Sequence, residues 1–235
     1  MSLNVAVVGA TGKTGKAIVE KLSKAGHTVT AIVRNPTKGR DLEKFGNVKF
    51  ETIPLESTVS KFALYFSKNK FDSVIFAAGT NAFENLHEIL QIELDGALKI
   101  IEAVEEVKIP KFILISAINS DDRDFWYPIE SIRPYYMAKR IVDKFLERGS
   151  LNYTILQPGP LVEEPGLNKI KIPKEAIAES YENFNFEENY YDIKIPIDDV
   201  ANAAVQVLNN EKANRKILPL VNGDTSIEEV IEKYL

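Results

Sequence analysis

Two kinds of hydrophobic pattern alternate along the chain. Short runs rich in β-branched and aromatic residues are typical of buried strands, and between them apolar residues recur every three or four positions, as on one face of a helix. The first pattern predicts strands at residues 3–8, 28–33, 48–53, 73–77, 112–115 and 152–156. The second predicts helices at residues 14–25, 57–67, 83–107 and 132–148. Strands separated by helices indicate right-handed βαβ units, and therefore a doubly wound α/β fold with helices on both faces of a parallel sheet.

The pattern changes after the sixth predicted strand. Residues 158–196 contain five prolines and several aromatic residues, which predicts irregular structure lying over the carboxyl ends of the strands. A helix, a strand and a second helix are then predicted at residues 198–208, 216–220 and 226–234. Asp198 or Asp199 is the predicted N-cap of the first of these helices. We therefore expect a single domain over residues 1–235, with residues 158–235 as a small C-terminal lobe.

Composition and charge exclude several classes of chemistry. The 235 residues include no cysteine, which excludes disulfides, thiolate metal sites, cysteine nucleophiles and iron–sulfur clusters. The two histidines, His27 and His87, argue against a multi-histidine metal site, so no metal is predicted. The formal net charge of −5 lacks the basic excess of a typical nucleic-acid-binding protein. With no apolar run long enough for a membrane span and no basic leader, we expect a cytoplasmic protein.

A glycine-rich loop lies between the first predicted strand and the first predicted helix. Gly9, Gly12 and Gly15 have the spacing GxxGxxG. In this position the first glycine makes the turn, the second lets the backbone approach a pyrophosphate, and the third allows close packing of helix on strand. A P-loop would need glycine at position 7, where the chain has Val7. The loop predicts a dinucleotide site, and the alternative is a glycine turn without a ligand.

The end of the second predicted strand indicates which dinucleotide is bound. An acidic residue about 20 positions after the loop binds the ribose of NAD, whereas arginine accommodates the 2′-phosphate of NADP. Arg34 lies nineteen residues after Gly15, where the acid would be. Its planar guanidinium suits a phosphate, and Lys13, Lys38 and Arg40 could add positive charge. We therefore predict NADP(H) in preference to NAD(H), the alternative being that Arg34 is an ordinary solvated charge.

A Tyr-x-x-x-Lys pattern follows the fifth predicted strand. Tyr135 and Lys139 are four residues apart, so on a helix they share one face. A lysine ammonium near a tyrosine is expected to lower the pKa of the phenol, which could then exchange a proton with a substrate carbonyl during hydride transfer. The pattern also occurs at Tyr190 and Lys194, within the region predicted to be irregular, and we interpret that second match as a coincidence.

Motifs distributed from end to end of the chain point to one protein family. They are VVGATGKTG (7–15), DGALKIIEA (95–103), IPKFILIS (109–116), YYMAKRI (135–141), LNYTILQPGPL (151–161), IDDVA (197–201) and GDTSIE (223–228). With these motifs the chain resembles the atypical short-chain dehydrogenases/reductases. It is most similar to their NAD(P)-binding group that includes the NmrA-like and biliverdin reductase B-like (flavin reductase) proteins. The resemblance implies a Rossmann-like sheet, with residues 1–157 as the nucleotide-binding core.

The resemblance also assigns roles to individual residues. The residues expected to line the pyrophosphate are Gly9, Thr11, Gly12, Lys13, Thr14 and Gly15. Those expected near the adenosine end and beneath its ribose are Arg34, Asn35, Ala77, Ala78 and Gly79. Those expected around the nicotinamide and its ribose are Ser116, Lys139, Pro158, Gly159 and Leu161. By the same resemblance, the catalytic residues would be Tyr135, Lys139 and Ser116.

Three departures from the family pattern weaken the case for carbonyl reduction. Ser116 falls at the end of the fifth strand, so the hydroxyl that polarises a carbonyl would be missing unless Ser120 folds back to replace it. Glu93 occupies the position of the family's asparagine. After the third strand, where many relatives have an aspartate beside the adenine, this chain has Ile53-Pro54-Leu55.

Two aromatic segments are candidates for substrate contacts. Residues 119–134 include Phe125, Trp126 and Tyr127, and a second cluster lies at residues 184–191. Such side chains could stack on a flat conjugated substrate bound between residues 119–134 and 160–195, or they could anchor the loops to the core.

These observations leave two main hypotheses of function. The first is an NADPH-dependent oxidoreductase that reduces a small carbonyl, quinone or flavin-like substrate by hydride transfer. The second is a non-catalytic NADP(H)-binding redox sensor of the NmrA-like type. Retention of Tyr135 and Lys139 favours the enzyme, and loss of the serine favours the sensor. Sugar-nucleotide epimerisation is disfavoured by the small lobe. The predicted partners are the dinucleotide and a small-molecule substrate, in a monomer or homodimer.

Overall fold

A computed structural model describes residues 1–178 and 193–235 of the chain. Seven parallel strands form one sheet, and they are β1 Asn4–Val8, β2 Thr28–Val33, β3 Val48–Thr52, β4 Ser73–Phe76, β5 Lys111–Ile115, β6 Tyr153–Pro158 and β10 Lys216–Leu220. Their order in the sheet is β3-β2-β1-β4-β5-β6-β10. The chain reverses direction across the sheet between β1 and β4, which is the switch point where doubly wound sheets bind ligands. The predicted Rossmann-like fold is thereby confirmed.

Helices cover both faces of this sheet. The helices are α1 Lys13–Lys24, α2 Pro36–Arg40, α3 Val59–Asn69, α4 Leu86–Glu88, α5 Ala97–Val107, α6 Arg123–Trp126, α7 Arg133–Arg148, α8 Pro173–Ala178, α9 Ile197–Leu208 and α10 Ile227–Tyr234. Single 3-10 turns lie at Glu43–Phe45, Glu130–Ile132 and Glu211–Ala213. Within the described ranges 1–178 and 193–235, no helix has the length and apolar character needed to cross a membrane.

Alternation along β1 divides the core into two hydrophobic clusters. Val5 and Val7 belong to the cluster that includes apolar residues of α1 and α9. Ala6 and Val8 belong to the cluster that includes apolar residues of α3 and α5. Successive strand residues point to opposite faces, so a strand that is apolar at every position is buried on both sides. This is why the apolar run Val5–Val8, within the strand predicted at residues 3–8, correctly indicates a central strand.

The helix predicted at residues 83–107 differs from the structure in a way that affects the site. It begins at Leu86, after the N-cap Asn85, and contains a π-helical segment at Ile89–Gly96 between α4 and α5. A π-helical turn contains more residues than an α-helical one and so rotates the side chains that follow it. The hydrophobic period alone did not predict this segment.

The region after β6 contains short elements where irregular structure was predicted. These are β7 Leu161–Val162, which pairs with β9 Ile195–Pro196, and β8 Lys169–Ile170, which pairs with β11 Thr225–Ser226. β10 returns to the main sheet and pairs with β6. The aromatic cluster at residues 184–191, and with it Tyr190, lies outside the described residues.

The predicted N-cap of the helix after this region is wrong. Helix α9 begins at Ile197 with Pro196 as N-cap, and Asp198 and Asp199 lie in its first turn. The carboxylate of Asp199 is fully buried and accepts hydrogen bonds from the backbone N–H groups of Leu167 and Asn168 at 2.9 and 2.7 Å. Asp199 therefore fixes the loop between β7 and β8 to the helix instead of capping it.

Candidate dinucleotide and substrate site

The residues assigned to the dinucleotide lie after the carboxyl ends of five strands. Gly9–Gly15 follow β1, Arg34 and Asn35 follow β2, and Ala77–Gly79 follow β4. Ser116 follows β5, and Pro158 ends β6. Because the strands are parallel, all of these positions fall at one edge of the sheet, where open α/β sheets bind their ligands.

Two glycines of the loop have a structural reason to be glycine. A Cβ atom on Gly9 would lie 2.4 Å from the backbone of Ala78, and the φ angle of Gly9 is +81°. A Cβ atom on Gly15 would lie 2.2 Å from the carbonyl oxygen of Gly9. Gly9 therefore allows the turn out of β1 beside the end of β4, and Gly15 allows α1 to pack closely against it.

Gly12 differs from the other two because no contact among the described residues requires glycine there. Its φ angle of −70° is ordinary, and the nearest atom to an added Cβ would be the Gly9 carbonyl oxygen at 3.4 Å, an ordinary contact. Gly12 is exposed and is the N-cap of the twelve-residue helix α1, which no side chain within the described residues caps. The first N–H groups of this helix can therefore face an anion. This surface fits a dinucleotide pyrophosphate.

Lys13 connects the glycine loop to the segment after β7. Its ammonium forms an ion pair with the carboxylate of Glu163, and both side chains are largely exposed. The pair spans the space between the start of α1 and the end of β7. The Lys13 ammonium therefore lies beside the loop, paired with a carboxylate of the segment after β7. Leu161, at the start of β7, is 41% exposed near the same segment.

The residues after β2 have different roles. Asn35 caps α2, since its side-chain oxygen accepts hydrogen bonds from the N–H groups of Thr37 and Lys38 at 2.9 and 3.4 Å. Arg34 is exposed, and the contacts found within residues 1–178 and 193–235 include none made by its guanidinium. Arg34 is thus available to a ligand, whereas the side-chain oxygen of Asn35 already serves the fold.

Tyr135 and Lys139 are brought together on α7 as predicted. The Lys139 ammonium lies 5.5 Å from the centre of the Tyr135 ring. It is buried, donates a hydrogen bond to the carbonyl oxygen of Ile115 at 3.0 Å, and forms an ion pair with Glu93 at 2.8 Å. An ammonium has three donors, so one remains for a ligand hydroxyl. Glu93 belongs to the π-helical segment.

The predicted effect of Lys139 on the tyrosine is wrong. Burial, followed by the carboxylates of Glu93 and Asp143, raises the pKa of Tyr135 well above its usual value of 10.0. The prediction considered only the ammonium. Glu93 compensates that positive charge directly, and the low-dielectric surroundings disfavour the phenolate.

Both candidate serines donate their protons to one buried carboxylate. The hydroxyls of Ser116 and Ser120 hydrogen-bond to Oδ2 of Asp143 at 2.8 and 2.5 Å. Gln157 donates to the Ser120 hydroxyl at 2.9 Å and to the same Asp143 oxygen at 3.1 Å. The loop after β5 does fold back, as substitution by Ser120 requires. However, a hydroxyl has a single proton, so neither serine can donate to a carbonyl while it is bound to Asp143.

Sequence reasoning missed Asp143 and Gln157. Burial raises the pKa of Asp143, while the hydrogen bonds from Ser120, Ser116 and Gln157 oppose that rise. A signal was present in the sequence, because Asp143 follows Lys139 by four residues and extends the helical face of Tyr135 and Lys139 by one more turn. Gln157 had no comparable signal, since it is one residue of an apolar strand.

An open cleft lies beside Tyr135. Its volume is about 720 Å³, and it is lined by residues 81–86 together with Ser131 and Ile132. The ring of Phe83 forms part of its wall and contacts the Tyr135 ring edge-on, with centroids 5.0 Å apart. Of the predicted substrate walls, the cleft includes part of residues 119–134. The wall at residues 160–195 lies partly outside the described residues.

Some of the aromatic residues after β5 anchor the loop to the core, whereas another is exposed to a possible ligand. Phe125 and Trp126 are buried in a third hydrophobic cluster, and the Trp126 ring stacks on Tyr136 at 6.0 Å. These two side chains anchor the loop. Tyr127 is 54% exposed, and the guanidinium of Arg133 lies 4.5 Å from the centre of its ring. Tyr127 alone of the three is exposed enough to meet a ligand.

Comparison with known proteins identifies the family. The model of the NAD(P)H-binding family matches residues 9–211, which include the glycine loop, Arg34, Tyr135 and Lys139. The chain belongs to this family. It is 33% identical to the UPF0659 protein YMR090W of Saccharomyces cerevisiae over 233 residues, covering 98% of each chain.

Solved structures extend the comparison to the fold. A Bacillus halodurans protein named for the NAD-dependent epimerases/dehydratases is 31% identical, with a TM-score of 0.84 and coverage of 99% of this chain and 100% of that one. The oxidoreductase ylbE of Lactococcus lactis is 26% identical, with a TM-score of 0.82 and coverage of 99% and 96%. The protein thus belongs to the NAD(P)H-binding family, and the solved structures similar to it include an oxidoreductase and a protein named for the NAD-dependent epimerases/dehydratases.

Proposed function

We propose that this protein is an NADPH-dependent oxidoreductase whose acceptor is a conjugated molecule such as a quinone or a flavin-like compound. Simple aldehydes and ketones would be poor substrates. The observation that carries the choice of acceptor is the pair of hydrogen bonds from Ser116 and Ser120 to Asp143, at 2.8 and 2.5 Å.

The chain's own residues would hold the dinucleotide in an extended position along the sheet edge. The N–H groups at the start of α1 and the open backbone of Gly12 would bind the pyrophosphate. Arg34 would bind the 2′-phosphate, and Ala77–Gly79 would pass beneath the adenosine ribose. The free donor of Lys139 would bind a hydroxyl of the nicotinamide ribose, and Pro158, Gly159 and Leu161 would border the nicotinamide. When bound, reduced nicotinamide supplies a hydride, and the remaining task of the protein is to orient the acceptor.

The preference for a conjugated acceptor follows from the acidity of its reduced form. Reduction of a simple carbonyl produces an alkoxide, which is strongly basic and needs an acid within hydrogen-bond reach. Reduction of a quinone produces a phenolate-type oxygen, whose pKa is near 10, as for tyrosine. Such a product can take its proton from water. A site whose serine protons are bound to Asp143, and whose Tyr135 has a raised pKa, suits the second reaction better than the first.

The cleft lined by residues 81–86, Ser131 and Ile132 would bind the acceptor. Its volume of about 720 Å³ is within the range of small-molecule pockets. Phe83 offers an aromatic face for a planar ring, and its ring contacts that of Tyr135. A molecule stacked on Phe83 would therefore lie beside helix α7.

Stopped-flow measurement of NADPH oxidation against quinones, flavins and aldehydes tests this proposal. We expect saturable oxidation with at least one quinone or flavin, and kcat/KM for the aldehydes at least about a hundredfold lower, because general acid catalysis contributes roughly 10²–10⁴. Faster turnover of aldehydes than of quinones would contradict the proposed acceptor class.

The same hydrogen bonds favour one alternative function. A site without a free serine proton is also what a non-catalytic NADP(H)-binding sensor would retain, since dinucleotide binding requires only the glycine loop, Arg34 and Lys139. Saturable binding of NADPH without its oxidation by any member of the panel would support the sensor and exclude the reductase.

A further inference from the structure

Glu93 is fixed on both sides of its carboxylate. Oε2 lies 2.8 Å from the Lys139 ammonium, and Oε1 accepts a hydrogen bond from the Thr80 N–H at 2.7 Å. The side chain is 2% exposed. It therefore connects the loop after β4 to helix α7, and it cannot swing away without breaking an ion pair and a backbone hydrogen bond in a buried position.

The local backbone is adapted to this carboxylate. Glu93 belongs to the π-helical segment Ile89–Gly96, a kind of distortion that often occurs at functional sites. A Cβ atom on Gly79 would lie 3.0 Å from Oε1 of Glu93. A side chain at position 79 would thus press on the carboxylate, so the glycine leaves room for it.

Tyr135 faces more negative than positive charge. On its own helix, the Lys139 ammonium lies 5.5 Å from the centre of its ring. The carboxyl groups of Asp143, on the same helix, and Glu93, on the π-helical segment, both raise the pKa of Tyr135 through their charge. Its ring neighbours Phe83 and Tyr136 are uncharged at neutral pH. Because Glu93 is in direct contact with Lys139, the positive charge that would favour a phenolate is compensated where it arises.

We propose that Glu93 is a positioning residue that holds Lys139 and compensates its charge beside Tyr135. The Tyr135 hydroxyl is then a weak proton donor, and the site favours acceptors whose reduced form is weakly basic. This inference rests on the proposed reductase function for its consequence in selectivity. Its structural part, the control of Tyr135 by Glu93 through Lys139, concerns this chain's residues alone and can be measured without any substrate.

The test is a pH titration of tyrosine labelled with ¹³C at the ring carbon that carries the hydroxyl, with the Tyr135 signal assigned by its loss in Tyr135→Phe. In Glu93→Gln, a nearly isosteric change, we expect Tyr135 to ionise at a pH lower by about one or more than in the wild type, since a neighbouring charge moves a pKa by roughly 1–3. Glu88→Gln is the matched control. Glu88 accepts a hydrogen bond from the Thr80 hydroxyl at 2.7 Å, and no ion pair within the described part of the chain joins it to Lys139.

The titration can contradict the role proposed for Glu93. An unchanged Tyr135 titration in Glu93→Gln, or an equal shift in Glu88→Gln, would overturn it. If Glu93→Gln does not fold, Glu93→Asp carries the test, because the shorter carboxylate withdraws from Lys139 and should shift the titration in the same direction by less. If the pH at which Tyr135 ionises shifted but no acceptor were reduced, the positioning role of Glu93 would be supported and the proposed reductase function would be rejected. With turnover, kcat/KM for aldehydes should rise about tenfold in Glu93→Gln relative to the quinones.

Discussion

Glu93 and Lys139 form a buried ion pair with a separation of 2.8 Å between Oε2 and Nζ, although they lie on different helices. This ion pair changes what the Tyr-x-x-x-Lys pattern implies about the acidity of the tyrosine. In isolation, the pattern indicates an acidified phenol. With its charge compensated, Lys139 remains a hydrogen-bond donor and Tyr135 remains a protonated phenol.

The glycine loop offers a direct test of dinucleotide binding. Gly12→Ala is expected to weaken NADPH binding by roughly tenfold or more, because a methyl group would occupy the space needed by the pyrophosphate. The free energy of unfolding should change by less than about 1 kcal/mol, since the nearest protein atom would be 3.4 Å away. Fluorescence titration and urea unfolding measure the two quantities.

Gly15→Ala is the matched control for the glycine loop. Its Cβ would lie 2.2 Å from the Gly9 carbonyl oxygen, so this variant should lose about 1–3 kcal/mol of stability. If Gly12→Ala bound NADPH as tightly as the wild type, the loop would not be part of the binding site.

Arg34 should determine the preference for NADPH over NADH. Arg34→Ala is expected to weaken NADPH binding about tenfold or more and to leave NADH binding nearly unchanged, because a charged hydrogen bond contributes about 1.5–3 kcal/mol and 1.4 kcal/mol is tenfold in affinity. Lys68→Ala removes the same charge at the end of α3, towards the opposite edge of the sheet, and should affect neither. Tighter binding of NADH than NADPH by the wild type would refute the preference.

Tyr135 should matter for only one class of acceptor. Tyr135→Phe is expected to abolish any residual aldehyde reduction, to lower quinone reduction by less than about tenfold, and to leave the Kd for NADPH unchanged. Tyr234→Phe, at an exposed position in the last helix, is the control and should change none of these. Steady-state kinetics with each acceptor gives the comparison. Aldehyde turnover at the wild-type rate in Tyr135→Phe would mean that the tyrosine is not the proton donor.

Lys111 should make stability rise with pH in the alkaline range. It is 6% exposed at the start of β5, and burial lowers its pKa to about 8, while in the unfolded chain a lysine titrates near 10.4. Between these values the unfolded state binds a proton that the folded state does not, so the free energy of unfolding increases with pH. Below pH 8 both states are protonated, and this dependence vanishes.

Urea unfolding at pH 7.5 and pH 10 tests the contribution of Lys111. Between these two pH values, the free energy of unfolding of the wild type should increase by roughly 1–2 kcal/mol more than that of Lys111→Met. This figure allows for the partial access of solvent to the lysine. Lys216→Met, at the exposed first residue of β10, should show the wild-type dependence. If the free energy of unfolding depended on pH in the same way in all three proteins, the lowered pKa of Lys111 would be contradicted.

Local patterns were sufficient to predict most of the fold. Runs of mostly apolar residues predicted the central strands, because a strand covered on both faces buries nearly every side chain. The glycine spacing predicted the turn after β1, because backbone angles and close contacts at Gly9 and Gly15 admit no side chain. The boundaries of the long helix before β5 were less well predicted, since its π-helical segment does not follow the α-helical period.

By itself the sequence determined the order of strands and helices, the glycine loop, the position of Arg34 and the shared face of Tyr135 and Lys139, all of which follow from residues close together in the chain. Only the tertiary structure decided which charges meet. It placed Glu93 against Lys139, and it bound both serine protons to Asp143. The reason is physical: the acidity of a buried group depends on its neighbours within a few ångströms, and those neighbours come from elements distant in sequence.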